Sequence, residues 1–204
     1  MAGNDLDVMF GGGRKQVTDA MRAYLRGSGA TLIEQDAAAF RAYEGKGPVW
    51  SLFAQGNMSY DLDRNDAEQP SLAEMTAKAL EVLDRHKNGF FLMVEGAKID
   101  YAGHSRCLPG SIIEMLSFDL AVAEALKFAD RNGETLVVVT ADHETGGLVL
   151  VDGDERTGRV MGVYVSDDHT PAMLPVFAYG PGADKFCGTY MNTEIARRIK
   201  SLIK

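Results

Sequence analysis

Two pairs of carboxylate and imidazole side chains carry the chemistry visible in this sequence. Asp100 and His104 stand four residues apart in Asp100-Tyr101-Ala102-Gly103-His104. On a helix that spacing projects both side chains from one face, about 5–6 Å apart at Cβ, which makes a bidentate platform for one metal ion. Asp142 and His143 are adjacent and follow the apolar run from Leu136 to Ala141, where a turn just past a strand can aim both inward. Carboxylate and imidazole together suit zinc. Glu95, just past Phe90 to Val94 and beside Gly96, offers only oxygen and better suits a harder ion such as magnesium. Each pair alone has an ordinary reading, since an Asp and a His four apart are usually an exposed pair and Asp-His after a strand is often a helix cap. Together, at the ends of the two most apolar runs, they point to one shared site.

Short apolar runs alternate with helical patterns, which predicts an α/β fold: three layers, α/β/α, around a mostly parallel central sheet. Strands are expected at Leu6 to Phe10, Thr31 to Glu34, Val49 to Ala54, Phe90 to Val94, Leu136 to Ala141 and Leu174 to Tyr179. Helices are expected from Val17 to Leu25, Asp36 to Tyr43, Ser71 onward, Pro109 to Asn132, and from a cap at Asn192 to Ile203. Ser71 with Glu74 three residues on is a capping box. The runs 90–94 and 136–141 read as strands covered on both faces. A hairpin is expected over Leu148 to Val165, with Gly158 and Gly162 at its turns. In open α/β sheets the ligand crevice lies outside the carboxyl ends of the strands, so two ligand clusters at two such ends can face one site. With no repeat and no linker, residues 1–204 read as a single α/β domain.

Composition narrows the function classes. A net charge of −8 with no basic stripe argues against nucleic acid. It also makes an awkward host for an anionic substrate unless bound cations reverse the local sign. No apolar run approaches the roughly 20 residues needed to span a bilayer, and the opening MAGNDLDVMFGGG lacks the pattern of a secretory signal. Cys107 and Cys187 are too far apart in sequence to form a close-spaced zinc pair, and either a bridge or two free thiols fits. The Gly11-Gly12-Gly13 run is read as a tight turn, since no Gly-Lys-Ser/Thr follows to make a phosphate cradle. His86 and Ser105 are read as exposed.

The segments VEGAKIDYAGH, TADHETGG and DDHTPAMLPVFAYGPGA occur here in that order, accompanied by DVMFGGGRK, MSYDLDR, PSLAEMTAKALEVL and GFFLMVEG. In these the chain resembles the alkaline phosphatases over nearly its whole length, specifically the C-terminal half of their catalytic domain. The resemblance implies metal-dependent hydrolysis of phosphate monoesters with two zinc ions and one magnesium. It implies Asp100, His104 and His169 as ligands of the first zinc, Asp142 and His143 as ligands of the second, and Glu95 as a magnesium ligand. His169 is assigned by resemblance alone, because it lies on a loop before the last strand. If that strand ran parallel to the others its loop would start at the wrong edge. Either the strand is reversed or the run-up from Thr170 to Pro175 crosses the gap.

The family's serine nucleophile stands in an Asp-Ser-Ala-type segment, and no serine of this chain has that context. The fold is therefore expected to be incomplete and the chain inactive alone. A parallel sheet lacking strands exposes an apolar edge, so a homodimer is expected. The resemblance also implies an extracytoplasmic location. Departures occur at Tyr101, where some members carry a basic residue, and at Pro171, where glycine is usual. Rival readings are a phosphomutase or phosphodiesterase relative and a non-catalytic metal-binding module, with a metal-independent Ser-His-Asp hydrolase a distant third.

Overall fold

A computed structural model of the chain describes residues 6–45 and 47–203. Residues 1–5, the start of the segment read above for a leader, lie outside the described residues. The chain divides into two units, Met1–Glu95 and Gly96–Lys204.

In the first unit, β1 (Val8–Gly11), β2 (Thr31–Glu34) and β3 (Val49–Leu52) form a parallel sheet in the order β1-β3-β2. The central strand β3 is buried along its length. Its side chains alternate between two apolar clusters, as the two-residue period of a strand requires. Val49 joins Ile33, Phe40, Phe53, Met75 and Val82, while Trp50 joins Leu25 and Ala30 on the other face. Phe40 anchors the larger cluster, with edge-to-face contacts to Phe10 at 5.0 Å and Phe53 at 5.2 Å. Helix α1 (Asp19–Gly27) supplies Leu25 to one cluster; α2 (Ala37–Arg41) and α3 (Leu72–Leu83) supply Phe40, Met75 and Val82 to the other. Helices thus cover both faces of this sheet.

The helix starts follow their capping residues. Thr18 accepts from the Met21 N–H and Asp36 from the Ala39 N–H. Ser71 and Glu74 form the expected capping box, with the Glu74 N–H donating to Ser71 Oγ at 3.1 Å and the Ser71 N–H to Glu74 Oε2 at 2.8 Å. The backbone N–H groups of Gly13, Arg14 and Lys15 donate to the carbonyls of Gly56, Ala54 and Gln55. A phosphate cradle needs those donors free, so the triglycine run is structural.

The second unit contains α4 (Ala97–His104), packed on the 25-residue α5 (Leu108–Asn132), which starts with Pro109 in its first turn and stops at Gly133. Its strands pair only antiparallel: β4 (Val137–Val139) with β9 (Phe177–Tyr179), β5 (Glu144–Thr145) with β8 (His169–Thr170), and β6 (Val149–Asp154) with β7 (Arg159–Val163) as the expected hairpin. The last strand is therefore reversed, the first of the two alternatives for reaching His169. Helix α6 (Thr193–Leu202) closes the unit.

Several expectations need correction. Residues 90–94 belong to no strand ladder; Phe91 and Met93 are 65% and 69% exposed where a strand covered on both faces was expected. An apolar run becomes a strand only where another strand takes up its backbone groups. For the same reason β4, with one neighbour, is three residues long and half-buried. Gly162 pairs with Leu150 inside β7 instead of turning the chain. Asn192 precedes α6 in helical conformation and makes no side-chain cap. Of the two alternatives left open for the cysteines, the structure has both free and exposed.

Arg41 Nε donates to Glu74 Oε1 at 2.7 Å, tying α2 to the start of α3. That guanidinium, aided by the Ser71 N–H and opposed by partial burial, holds the Glu74 carboxyl from its usual 4.5 down to about 2. A carboxyl depressed by folding stabilises above its unfolded pKa, and the stabilisation is lost as pH falls through the folded value. Urea unfolding followed by Trp50 fluorescence is expected to show wild type above Glu74→Gln by on the order of 1 kcal/mol at pH 7. The gap should shrink below about pH 4.5 and close near pH 2; a gap constant down to pH 2 would refute this linkage.

Candidate metal centre

Helix α4 carries Asp100 and His104 one turn apart, as their spacing requires. His104 Nε2 lies 3.4 Å from Asp100 Oδ1. From the other side, β8 brings in His169, whose Nε2 is 3.5 Å from the same Asp100 oxygen and 3.2 Å from His104 Nε2. His169 reaches this point because β8 pairs with β5, placing Thr145 opposite His169 and Glu144 opposite Thr170. The Glu144 carboxylate reinforces that pairing by accepting from the Gly147 N–H at 3.0 Å and from the Thr170 hydroxyl. His143 stands just before β5 and stacks on His169, with ring centroids 3.5 Å apart and planes 19° apart. Its Nε2 lies 3.1 Å from Asp142 Oδ2.

The structure therefore brings together Asp100, His104, Asp142, His143 and His169, five of the six residues singled out in the sequence. One ligand atom from each of Asp100, His143 and His169 falls within a 4.8 Å cluster. Glu95 is exposed at the last position of the first unit, and its assignment rests on the sequence.

The donor set fits a cation. His104 Nδ1 lies 2.6 Å from the carbonyl oxygen of Asp167, which can only accept, so Nδ1 carries a proton and Nε2 is the nitrogen turned toward Asp100 and His169. Nε2 faces a carboxylate oxygen and a second imidazole nitrogen, an arrangement stabilised by positive charge, whether a ring proton or a bound cation. The Asp167 carbonyl is the main cause of a raised His104 pKa, with Asp100, Asp168 and Asp167 adding in the same direction and partial desolvation opposing. The separations of 3.2, 3.4 and 3.5 Å also match the edges of a coordination tetrahedron. Zinc bonds of about 2.0–2.1 Å give edges of about 3.3–3.4 Å.

Sequence reasoning missed three contributors. Thr145 Oγ1 donates to Asp100 Oδ1 at 2.6 Å and lies 3.2 Å from His143 Nδ1. Its signal was available, because a residue two beyond His143 lies on the same side of an extended segment. Asp167 had none, since it acts through its backbone. Gly103 is the third: a Cβ there would lie 2.8 Å from the Thr145 carbonyl oxygen and 3.0 Å from Thr145 Cβ, so its absence lets α4 lie against β5. Gly146 turns the chain after β5 at a φ of 91°, donates its N–H to the Asp168 carbonyl and sits against the carbonyl of Gly103.

Residues 1–162 match the alkaline phosphatase family model. The chain belongs to the alkaline phosphatase family. It is 33% identical to the alkaline phosphatase of Escherichia fergusonii, over 97% of this chain and 52% of that protein. It is 28% identical to alkaline phosphatase 4 of Bacillus subtilis, over 98% of this chain and 58% of the relative. Among solved structures, alkaline phosphatase from the Antarctic bacterium TAB5 superposes with a TM-score of 0.87 at 32% identity, covering 100% of this chain and 62% of that one. The cold-active alkaline phosphatase of a Shewanella species gives a TM-score of 0.88 at 26% identity, covering 100% of this chain and 67% of that one. The fold is the α/β fold of this family. The chain spans between about half and three-fifths of the length of these curated relatives.

Placing a methyl group at Gly103 forces β5 away from α4. Gly103→Ala is expected to destabilise the protein by about 1–3 kcal/mol, the usual range for overpacking. Urea unfolding monitored by far-ultraviolet circular dichroism checks this, and wild-type stability in the variant would show that the helix–strand approach has slack.

Proposed function

We propose that this chain carries the metal-binding part of a phosphate monoesterase site, with Asp100, His104 and His169 holding one zinc and Asp142 and His143 a second. Glu95 is read as a magnesium ligand. The observation that carries the reading is the triangle formed by Asp100 Oδ1, His104 Nε2 and His169 Nε2, with sides of 3.2–3.5 Å. A variant of the TAB5 alkaline phosphatase with Mg bound in its M3 site lends support to magnesium. Family membership, with Asp142-His143-Glu144-Thr145-Gly146-Gly147 inside the matched region, favours a monoesterase over phosphomutase or phosphodiesterase relatives.

When bound, the ions supply Lewis acidity and positive charge toward phosphoryl oxygens. The chain's residues do the positioning. The Asp167 carbonyl holds the His104 ring with Nε2 toward Asp100, and the β5–β8 pairing holds His169 opposite. The imidazoles contribute neutral donors and the carboxylates limited negative charge, so the occupied site keeps net positive character toward an anionic ester.

The attacking group is read as lying outside this chain, since none of its serines stands in an Asp-Ser-Ala segment. The whole protein is read as extracytoplasmic and homodimeric. Exposed Val149, Leu150 and Met161 on the β6–β7 hairpin support a second copy as partner; sedimentation equilibrium measures this, and a monomer removes that part of the reading.

Zinc titration by calorimetry, with bound metal measured by atomic emission, tests the centre. The 204-residue chain is expected to bind zinc, and Asp100→Ala or His169→Ala to weaken it by at least about tenfold. With zinc and magnesium present, the chain alone should not turn over an aryl phosphate. Fast turnover would contradict the external nucleophile, and absence of zinc uptake would contradict the metal assignment.

A further inference from the structure

We propose that Thr145 is a positioning residue whose single hydroxyl fixes the tautomer of His143 and the orientation of Asp100 together. The proposal rests on the reading that both residues hold cations. Its starting point is a proton count. A threonine hydroxyl has one proton and two lone pairs, and an ionised carboxylate only accepts. Thr145 Oγ1 lies 2.6 Å from Asp100 Oδ1, so the hydroxyl proton is committed to that carboxylate. What Oγ1 then presents to His143 Nδ1, 3.2 Å away, is a lone pair. The ring must supply the proton in that contact. His143 is therefore the Nδ1–H tautomer, and its Nε2 carries the lone pair that a metal needs.

On the far side of the ring, His143 Nε2 lies 3.1 Å from Asp142 Oδ2; with the proton on Nδ1, that lone pair and carboxylate would be two ligands of one ion. The hydroxyl is held in place by its surroundings. Thr145 is paired with His169 across β5 and β8, and its carbonyl and Cβ abut Gly103 in α4. One oxygen thus joins a ligand of the first proposed zinc, Asp100, to a ligand of the second, His143. A threonine that merely filled space in a short strand would be replaceable by the isosteric valine, whereas a positioning hydroxyl would be replaceable only by serine.

Long-range proton–nitrogen correlation spectra of the metal-free, nitrogen-15-labelled chain read the tautomer of each histidine directly, and zinc calorimetry reads the consequence. Wild type should show His143 protonated on Nδ1. Thr145→Val should lose that preference and bind zinc about tenfold more weakly, the usual effect of removing a group that orients a ligand. Thr145→Ser should restore both. An Nε2–H tautomer in a wild-type chain that binds zinc overturns the role of Thr145 alone. So does a valine variant with unaltered tautomer and affinity. A wild-type chain that takes up no zinc overturns the metal reading itself. If the valine variant does not fold, the wild-type tautomer and the serine variant decide the question.

Discussion

His104 Nε2 and a carboxylate oxygen of Asp100, 3.4 Å apart, are compatible only with positive charge beside them, a ring proton or a cation, and the contacts around α4, β5 and β8 converge on that pair. The Asp167 carbonyl accepts the Nδ1 proton of His104 on the opposite edge of the ring, so Nε2 stays turned toward Asp100. His169 adds a third donor from β8 without adding a negative charge. The β5–β8 ladder, the Glu144 carboxylate on the Gly147 N–H and the Thr170 hydroxyl, and the stacking of His143 on His169 all resist separation of the donors. Any ion bound among these donors would therefore add its binding free energy to the stability of this region.

Two glycines make that framework possible for steric reasons. Gly103 brings α4 onto β5 closely enough for Thr145 to reach Asp100, and Gly146 turns the chain so that Asp168 and its neighbours can return beside β5. The clustered imidazoles and carboxylates come from three separate stretches of chain, whereas the glycines that bring those stretches together have no donor chemistry of their own. This is why the glycines of Tyr-Ala-Gly-His and Glu-Thr-Gly-Gly sit inside the same motifs as the ligands.

Local physics made part of this legible in the sequence. The Asp100–His104 spacing predicts one helical face, and α4 provides it; Ser71 and Glu74 predict a capping box, and α3 starts with one. These depend on neighbours within a single turn. Residues 90–94 have the apolar character of a buried strand, yet a strand is a property of a pair, and that run enters no ladder among the described residues. His169 was out of reach of spacing arguments because its position depends on the direction of β9 and on the short β5–β8 ladder, pairings formed over many residues. Asp167 was out of reach altogether, since a backbone carbonyl leaves no trace in residue type.

The chain's charge follows from the same constraint. A net charge of −8 is a poor setting for any anion, and the surroundings of the cluster are themselves acidic, with Asp100, Asp142, Glu144, Asp167 and Asp168 all close to the three imidazoles. Left to protein charge alone, this region repels an anion. Cations reverse the sign only if enough of the donors are neutral, since carboxylates alone would cancel the charge of any ion they held. Imidazoles in three of the five clustered positions meet that condition, and contacts from His104 Nδ1 to the Asp167 carbonyl and from His143 Nδ1 to Thr145 Oγ1 fix how two of the rings face.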